Sequence, residues 1–261
     1  MDSLLDLKRF PLDDLDSPAG QALVAHCQDE LHRFGMFNLD GLVPASMVKS
    51  IAADLDPRMD TDGFNHARRH NIYFRQSVDG VSEDHPALAQ FDTVNHTLCA
   101  DQMASSDLIR IYEHPGLIDF LARVMGKERL FTMDDPLARV NVMRYGDGEG
   151  LNWHFDRSEF TTTLLLQSPF HGGLFQYARD LRSDDDPNLE GVAKLIQGEW
   201  PVENVRLWPG TLNVFLGKNT AHRVTPVSGT QSRMIAVFSF YEVPGKVFSE
   251  QERIGFYGRA S

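Results

Sequence analysis

Cysteine is nearly absent from this sequence, with 2 in 261 residues, and Cys27 and Cys99 stand far apart in no CxxC spacing. That scarcity argues against a disulfide framework and a thiolate metal site, leaving both thiols as buried, reduced spectators. No run approaches the roughly 20 consecutive apolar residues of a membrane-spanning helix. The opening MDSLLDLKRFPLDD is too acidic for a secretory signal, so the expected location is the cytoplasm, away from any membrane. Positive charge is also short: 25 Lys+Arg against 37 Asp+Glu leave a formal net charge of -12. Such a chain repels a phosphate backbone, which argues against a nucleic-acid partner and favours a small-molecule substrate. Low-complexity tracts are missing too, and a composition of 42% hydrophobic and 24% charged residues can bury a sizeable core. A homodimer is one assembly that this chain allows.

What is present changes character half-way along. Ser17-Pro18 predicts a helix start, and Leu23, Val24, Cys27 and Leu31 recur at helical spacing up to a stop at Gly35. Further helices are expected from Pro44 to Leu55 and from Ser106 to Gly126, the latter interrupted at His114-Pro115-Gly116. From about Leu137 the hydrophobic period becomes two, and turns at 146–150, Gly172-Gly173, Pro209-Gly210 and Ser228-Gly229 mark an antiparallel sandwich or barrel. The sequence therefore predicts one domain over 1–261, mainly β with N-terminal helices (α+β). In it, 1–136 is mostly helical support and a candidate lid, 137–242 the β core, and 243–261 a tail.

Chemistry concentrates in the β half. In NWHFDRSEF, a period of two sends His154 and Asp156 to one face of a strand. Roughly one H-x-D is expected by chance, so the pattern needs a third ligand, and His222 in FLGKNTAHRVTPVSG is the candidate. Two histidines and a carboxylate on one face of a metal suit octahedral iron(II), leaving two positions for a chelating 2-oxo acid and one for dioxygen. Zinc, ordinarily tetrahedral, would keep only one open position. Arg233 follows in SRMIAVFSFY and offers planar, two-pronged donors to the distal carboxylate of the cosubstrate, with Tyr145 as a further hydroxyl donor to it. On that same strand Ile235, Val237 and Ser239 share the face of Arg233 and are expected to line the pocket.

Two histidines elsewhere, His66 and His70, are i, i+4 as if on a helix, but Arg68 and Arg69 beside them oppose a cation, and the segment reads as a solvated face. The acidic run Asp184-Asp185-Asp186 lacks the alternating spacing of a calcium loop and reads as a solvated loop.

Taken in order, RYGDGEGLNWHFD, a Gly-Gly strand and PGTLNVFLGKNTAHRVTPVSGTQSR resemble the iron(II)/2-oxoglutarate dioxygenase superfamily over about residues 137–242. The resemblance implies a double-stranded β-helix (jelly-roll, cupin-like) core, with Fe(II), 2-oxoglutarate and O2 as cofactor and cosubstrates. HFDRSEFTTTLLLQ and the terminal FYGR are similar to the free-standing amino-acid halogenases and hydroxylases, whose best-known member acts on lysine. In the halogenase branch glycine or alanine replaces the carboxylate ligand, so Asp156 points to the hydroxylase branch. The same resemblance implies a substrate-carboxylate clamp near Arg75, and it sets Arg157 where the lysine-acting members carry an acid. The expectation is hydroxylation of an unactivated C–H bond of an amino acid or derivative, yielding succinate and CO2. Its rivals are a nucleic-acid demethylase of the same superfamily and a non-catalytic sandwich that binds 2-oxoglutarate or another small acid.

Overall fold

The computed structural model describes residues 4–75, 77, 78 and 80–261. The expected helices form where their caps lie. Ser17 accepts a hydrogen bond from the Gly20 amide, Pro18 opens helix Pro18–Phe34, and Gly35 closes it at φ 73, a left-handed turn that glycine adopts without a Cβ penalty. Helices Ala45–Leu55, Asp107–Tyr112 and Pro115–Val124 follow, the last two separated at the predicted His114-Pro115 break. Both cysteines are buried and unbridged, and burial pushes their thiols up to about 12.

Two antiparallel sheets make the sandwich. The larger has seven strands in the order Met36–Leu39, Leu212–Phe215, Thr161–Gln167, Arg233–Phe238, Val140–Tyr145, Phe91–Cys99 and Phe64–His70. The smaller has four: Glu203–Val205, Phe175–Ala178, Ala221–Val224 and Leu151–His154. This is the jelly-roll arrangement expected, as an open sandwich without a closed barrel.

Besides their helices, residues 1–136 supply three of the seven strands of the large sheet. One expectation there needs correction. His66 and His70 lie on strand Phe64–His70, not on a helix, so the period there is two and His66, Arg68 and His70 share one face. That face turns inward, and residues 65, 67 and 69 are the exposed ones.

The large sheet is apolar on the face that meets the helices and mixed on the other. Met234, Ala236 and Phe238 join Leu164, Leu166, Leu212 and Val214 in the core beneath the helices, each buried. The intervening residues, among them Arg233, Ile235, Val237, Thr163 and Asn213, face the second sheet and line a cavity between the two. Because side chains alternate strictly, each buried Leu or Val on the helix side holds its neighbours in register on the cavity side. Burying one such side chain is worth about 1.5–3 kcal/mol, so a one-residue slip along any strand is strongly penalised.

A buried carboxylate helps to anchor the C-terminal segment. Asp135, with no exposed surface, accepts hydrogen bonds from the amides of Leu137, Ala138 and Phe248 and from Nε of Arg253, on helix Glu250–Tyr257. Burial opposes its ionisation, but the four donors outweigh it and hold its pKa below the ordinary carboxylate value. Asp135→Ala strands those donors and is expected to lower unfolding stability by about 3 kcal/mol at pH 7, read from urea denaturation. A depressed pKa gives a contribution that is complete above about pH 4 and lost as the pH falls through the native value, so the gap between wild type and variant narrows towards pH 2. A gap that stays constant from pH 7 to pH 2 would contradict this reading.

Candidate metal centre

Strands Leu151–His154 and Ala221–Val224 pair antiparallel with His222 directly opposite His154. Residues opposed in this way point to the same face of a sheet, and the two imidazole centres are 4.1 Å apart. The strand ends at His154, and the chain then turns Asp156 back towards the histidines. Its amide donates to the Gly217 carbonyl at 3.0 Å, and its carboxylate oxygens lie 3.6 Å from His154 Nε2 and 3.4 Å from His222 Nε2. One donor atom from each of the three residues falls within 4.8 Å of the others.

The histidines are oriented by the same device. Nδ1 of His154 meets the Asn152 carbonyl at 2.8 Å, and Nδ1 of His222 meets the Thr220 carbonyl at 2.9 Å. A carbonyl can only accept, so both protons sit on Nδ1 and both Nε2 lone pairs face the centre. Burial, reinforced by the neighbouring His222, pushes the His154 pKa down to about 3, which keeps that ring neutral and able to coordinate at physiological pH. Burial works against ionisation of Asp156, but His222, His154 and the Thr161 hydroxyl, which donates to Oδ2, outweigh it and hold the carboxylate well below its usual range. Two imidazole nitrogens and an ionised carboxylate, all within coordination reach, fit a divalent cation.

Arg233 lies opposite Tyr145 in the large sheet and is 2% exposed. Its Nη1 is buried without a hydrogen-bond partner among the described residues, and its guanidinium is 5.9 Å from the Tyr145 ring centre. Burial lowers its pKa to about 10, so it remains a cation at neutral pH. A buried charge with an unspent donor costs several kcal/mol unless an anion pairs with it. That orphaned donor fits the carboxylate of an oxo acid bound in the cavity. Among the described residues the Tyr145 hydroxyl donates only to the Met143 sulfur at 3.4 Å, a weak acceptor, and can turn to a better one.

These residues share a cavity of about 360 Å³ enclosed by both sheets. Val237 and Arg157 line it, the latter at its mouth, where it pairs with Glu252 at 3.1 Å. Ser239 does not. It lies just beyond strand Arg233–Phe238, where the alternation ends, and its hydroxyl donates to the Ala138 carbonyl. Arg75 is exposed in the loop after strand Phe64–His70 and lies outside the cavity wall. The run Asp184-Asp185-Asp186 is exposed as expected, with Asp184 paired to Lys218.

Two groups of residues escaped the sequence reading. His66, Arg68 and His70 line the cavity, and recognising their segment as a strand would have revealed them. Gly217 is the other: a Cβ there would stand 2.2 Å from Asp156 Oδ2, so only glycine lets the carboxylate reach its place. Nothing in FLGKNTAHR distinguishes it from an ordinary turn glycine.

A family model described as Halogenase D matches residues 19–245. No curated protein matches the chain. Among solved structures it is similar to an oxidoreductase of the 2OG-Fe(II) oxygenase family from Burkholderia pseudomallei, at 14% identity over 85% of this chain and 92% of that one, with a TM-score of 0.52. It is also similar to the non-heme alpha-ketoglutarate-dependent epimerase SnoN from nogalamycin biosynthesis (14%, 85% and 83%, TM-score 0.55). A third is a prolyl hydroxylase from Trichoplax adhaerens, in complex with a hypoxia inducible factor oxygen degradation domain peptide fragment (13%, 86% and 94%, TM-score 0.53). At these identities the likeness to solved structures is one of fold.

Gly217→Ala is expected to displace Asp156 and weaken divalent-metal binding about 10- to 100-fold, measured by metal titration of the purified protein. Unchanged affinity would remove Asp156 from the ligand set.

Proposed function

The chain belongs to the Halogenase D family, and from that premise we propose that it is an iron(II)- and 2-oxoglutarate-dependent hydroxylase acting on an unactivated C–H bond of a small molecule, an amino acid or derivative. The observation that carries this reading is Asp156, whose carboxylate stands within 3.6 Å of both imidazole Nε2 atoms. A carboxylate there completes a facial His-Asp-His set and takes the position that a halide would need, so oxygen rather than halogen is transferred.

His154, Asp156 and His222 would hold the iron. Bound there with 2-oxoglutarate and dioxygen, it supplies an oxidant strong enough to hydroxylate the substrate, while the oxo acid leaves as succinate and CO2. Arg233 binds the distal carboxylate of 2-oxoglutarate, and its fixed place in the sheet sets which way that cosubstrate lies. Tyr145, packed beside it, donates its hydroxyl to the same carboxylate. Leu151, Ile235, Val237 and Phe215 close the cavity with apolar surface. They exclude water and leave a shaped space in which one C–H bond of the substrate is presented. A module that only bound 2-oxoglutarate would need Arg233 but not three convergent metal donors.

Iron(II)-loaded protein is expected to form succinate from 2-oxoglutarate when the right amino acid is supplied, and Asp156→Ala and His222→Ala to abolish it. Arg233→Gln should raise KM for 2-oxoglutarate about 30-fold or more while iron binding is retained. Failure of the wild type to bind iron or 2-oxoglutarate would refute the reading.

A further inference from the structure

The cavity carries a charge opposite to that of the protein around it. The chain has a formal net charge of -12, yet Asp156 is the only carboxylate among the described residues lining the cavity, against Arg68, Arg157 and Arg233. With Asp156 turned to the metal, Arg233 to the cosubstrate and Arg157 paired with Glu252 at the mouth, the Arg68 guanidinium remains for whatever else binds.

Arg68 is the informative one. It is half-buried on the inward face of strand Phe64–His70, opposite the neutral Thr93. Among the described residues it has no ion pair and no hydrogen bond, although most cavity-remote arginines, such as Arg123, Arg144 and Arg253, are paired to carboxylates. Its contact is with the Phe74 ring, 4.5 Å from the guanidinium carbon. Burial lowers its pKa, and the positive charge of Arg157 lowers it further.

Phe74 ties this cation to the metal centre. It sits at φ 52, a left-handed conformation that a bulky residue adopts only under constraint. Buried Asn71 holds that turn, its side chain accepting from the amides of Tyr73 and Arg75 and donating to the Arg75 carbonyl. The ring so placed stacks on His70 at 4.3 Å and meets the His154 ring edge-on at 5.9 Å. His70 has both nitrogens engaged, by the Asn71 carbonyl and the Thr93 hydroxyl, and serves the wall rather than a ligand. A molecule anchored on Arg68 therefore lies across Phe74 towards the metal ligands. An ammonium in the same place would meet the Arg68 guanidinium, and the one carboxylate lining the cavity, Asp156, is turned to the histidines.

We propose that the substrate is a small organic acid, a dicarboxylic or N-acylated amino acid, whose carboxylate is held by Arg68, and that diamino acids are rejected. This names the substrate class within the oxygenase reading and rests on it.

The test is calorimetric titration, without oxygen, of the full chain saturated with iron(II) and 2-oxoglutarate. The probes are L-aspartate, L-glutamate and N-acetyl-L-glutamate against L-lysine and L-ornithine. At least one acid is expected to bind tenfold or more tightly than either diamino acid. Arg68→Gln should lose that affinity tenfold or more and Arg68→Lys recover part of it, while 2-oxoglutarate affinity, measured on the same samples, stays within twofold and reports an intact fold. Diamino acids binding as tightly as the acids, no binding of any acid, or an Arg68→Gln protein that keeps the acid's affinity would each overturn the proposal while leaving the oxygenase reading in place. Loss of iron or 2-oxoglutarate binding in the wild type would instead overturn both.

Discussion

Everything in the site depends on one cross-strand register, the pairing that sets His222 opposite His154 in the small sheet. Shifted by one residue, that pairing would send one imidazole to the outer face and leave Asp156 with a single partner. The register is held from both sides. Ala221–Val224 also pairs along its length with Phe175–Ala178, and Phe175 and Phe215 pack against the His222 ring at 5.8 and 4.8 Å. The backbone carbonyls of Asn152 and Thr220 then aim the rings, so the metal donors are organised by main-chain geometry and packing.

The cost of such a site is visible in its electrostatics. Arg233 is almost wholly buried with a donor unpartnered among the described residues, and half-buried Arg68 has no carboxylate partner among them. Both are unfavourable for the fold taken alone and favourable for a cavity that collects anions, since a carboxylate arriving between such groups recovers the desolvation already spent on them. The surrounding structure absorbs this through a large apolar core beneath the seven-stranded sheet and through anchors such as Asp135, which docks the helix whose Phe256 and Glu252 shape the cavity mouth.

Much of this was legible in the sequence because it is local. Ser17-Pro18 and Gly35 bound the first helix, and His154-x-Asp156 is short enough for the chain itself to bring the two side chains together. On SRMIAVFSFY the alternation separates Arg233, Ile235 and Val237 from Met234, Ala236 and Phe238 as the structure does. It fails at Ser239, where the strand stops. The reading of 64–70 failed for a different reason. FNHARRH is polar on both faces, so it has no hydrophobic period to identify it, and it becomes a strand only by pairing with Phe91–Cys99 at the sheet's edge.

By itself the sequence determined the helix ends and the alternating β half and singled out His154, Asp156, His222 and Arg233 as candidates, since each follows from residue type and short-range spacing. The tertiary structure alone decided that Gly217 must make room for Asp156, that Ser239 and Arg75 stay outside the cavity, and that Arg68 comes inside it unpaired. Those outcomes depend on which strand lies beside which. Such contacts join residues distant along the chain, and they are set by the packing of the two sheets rather than by any local preference.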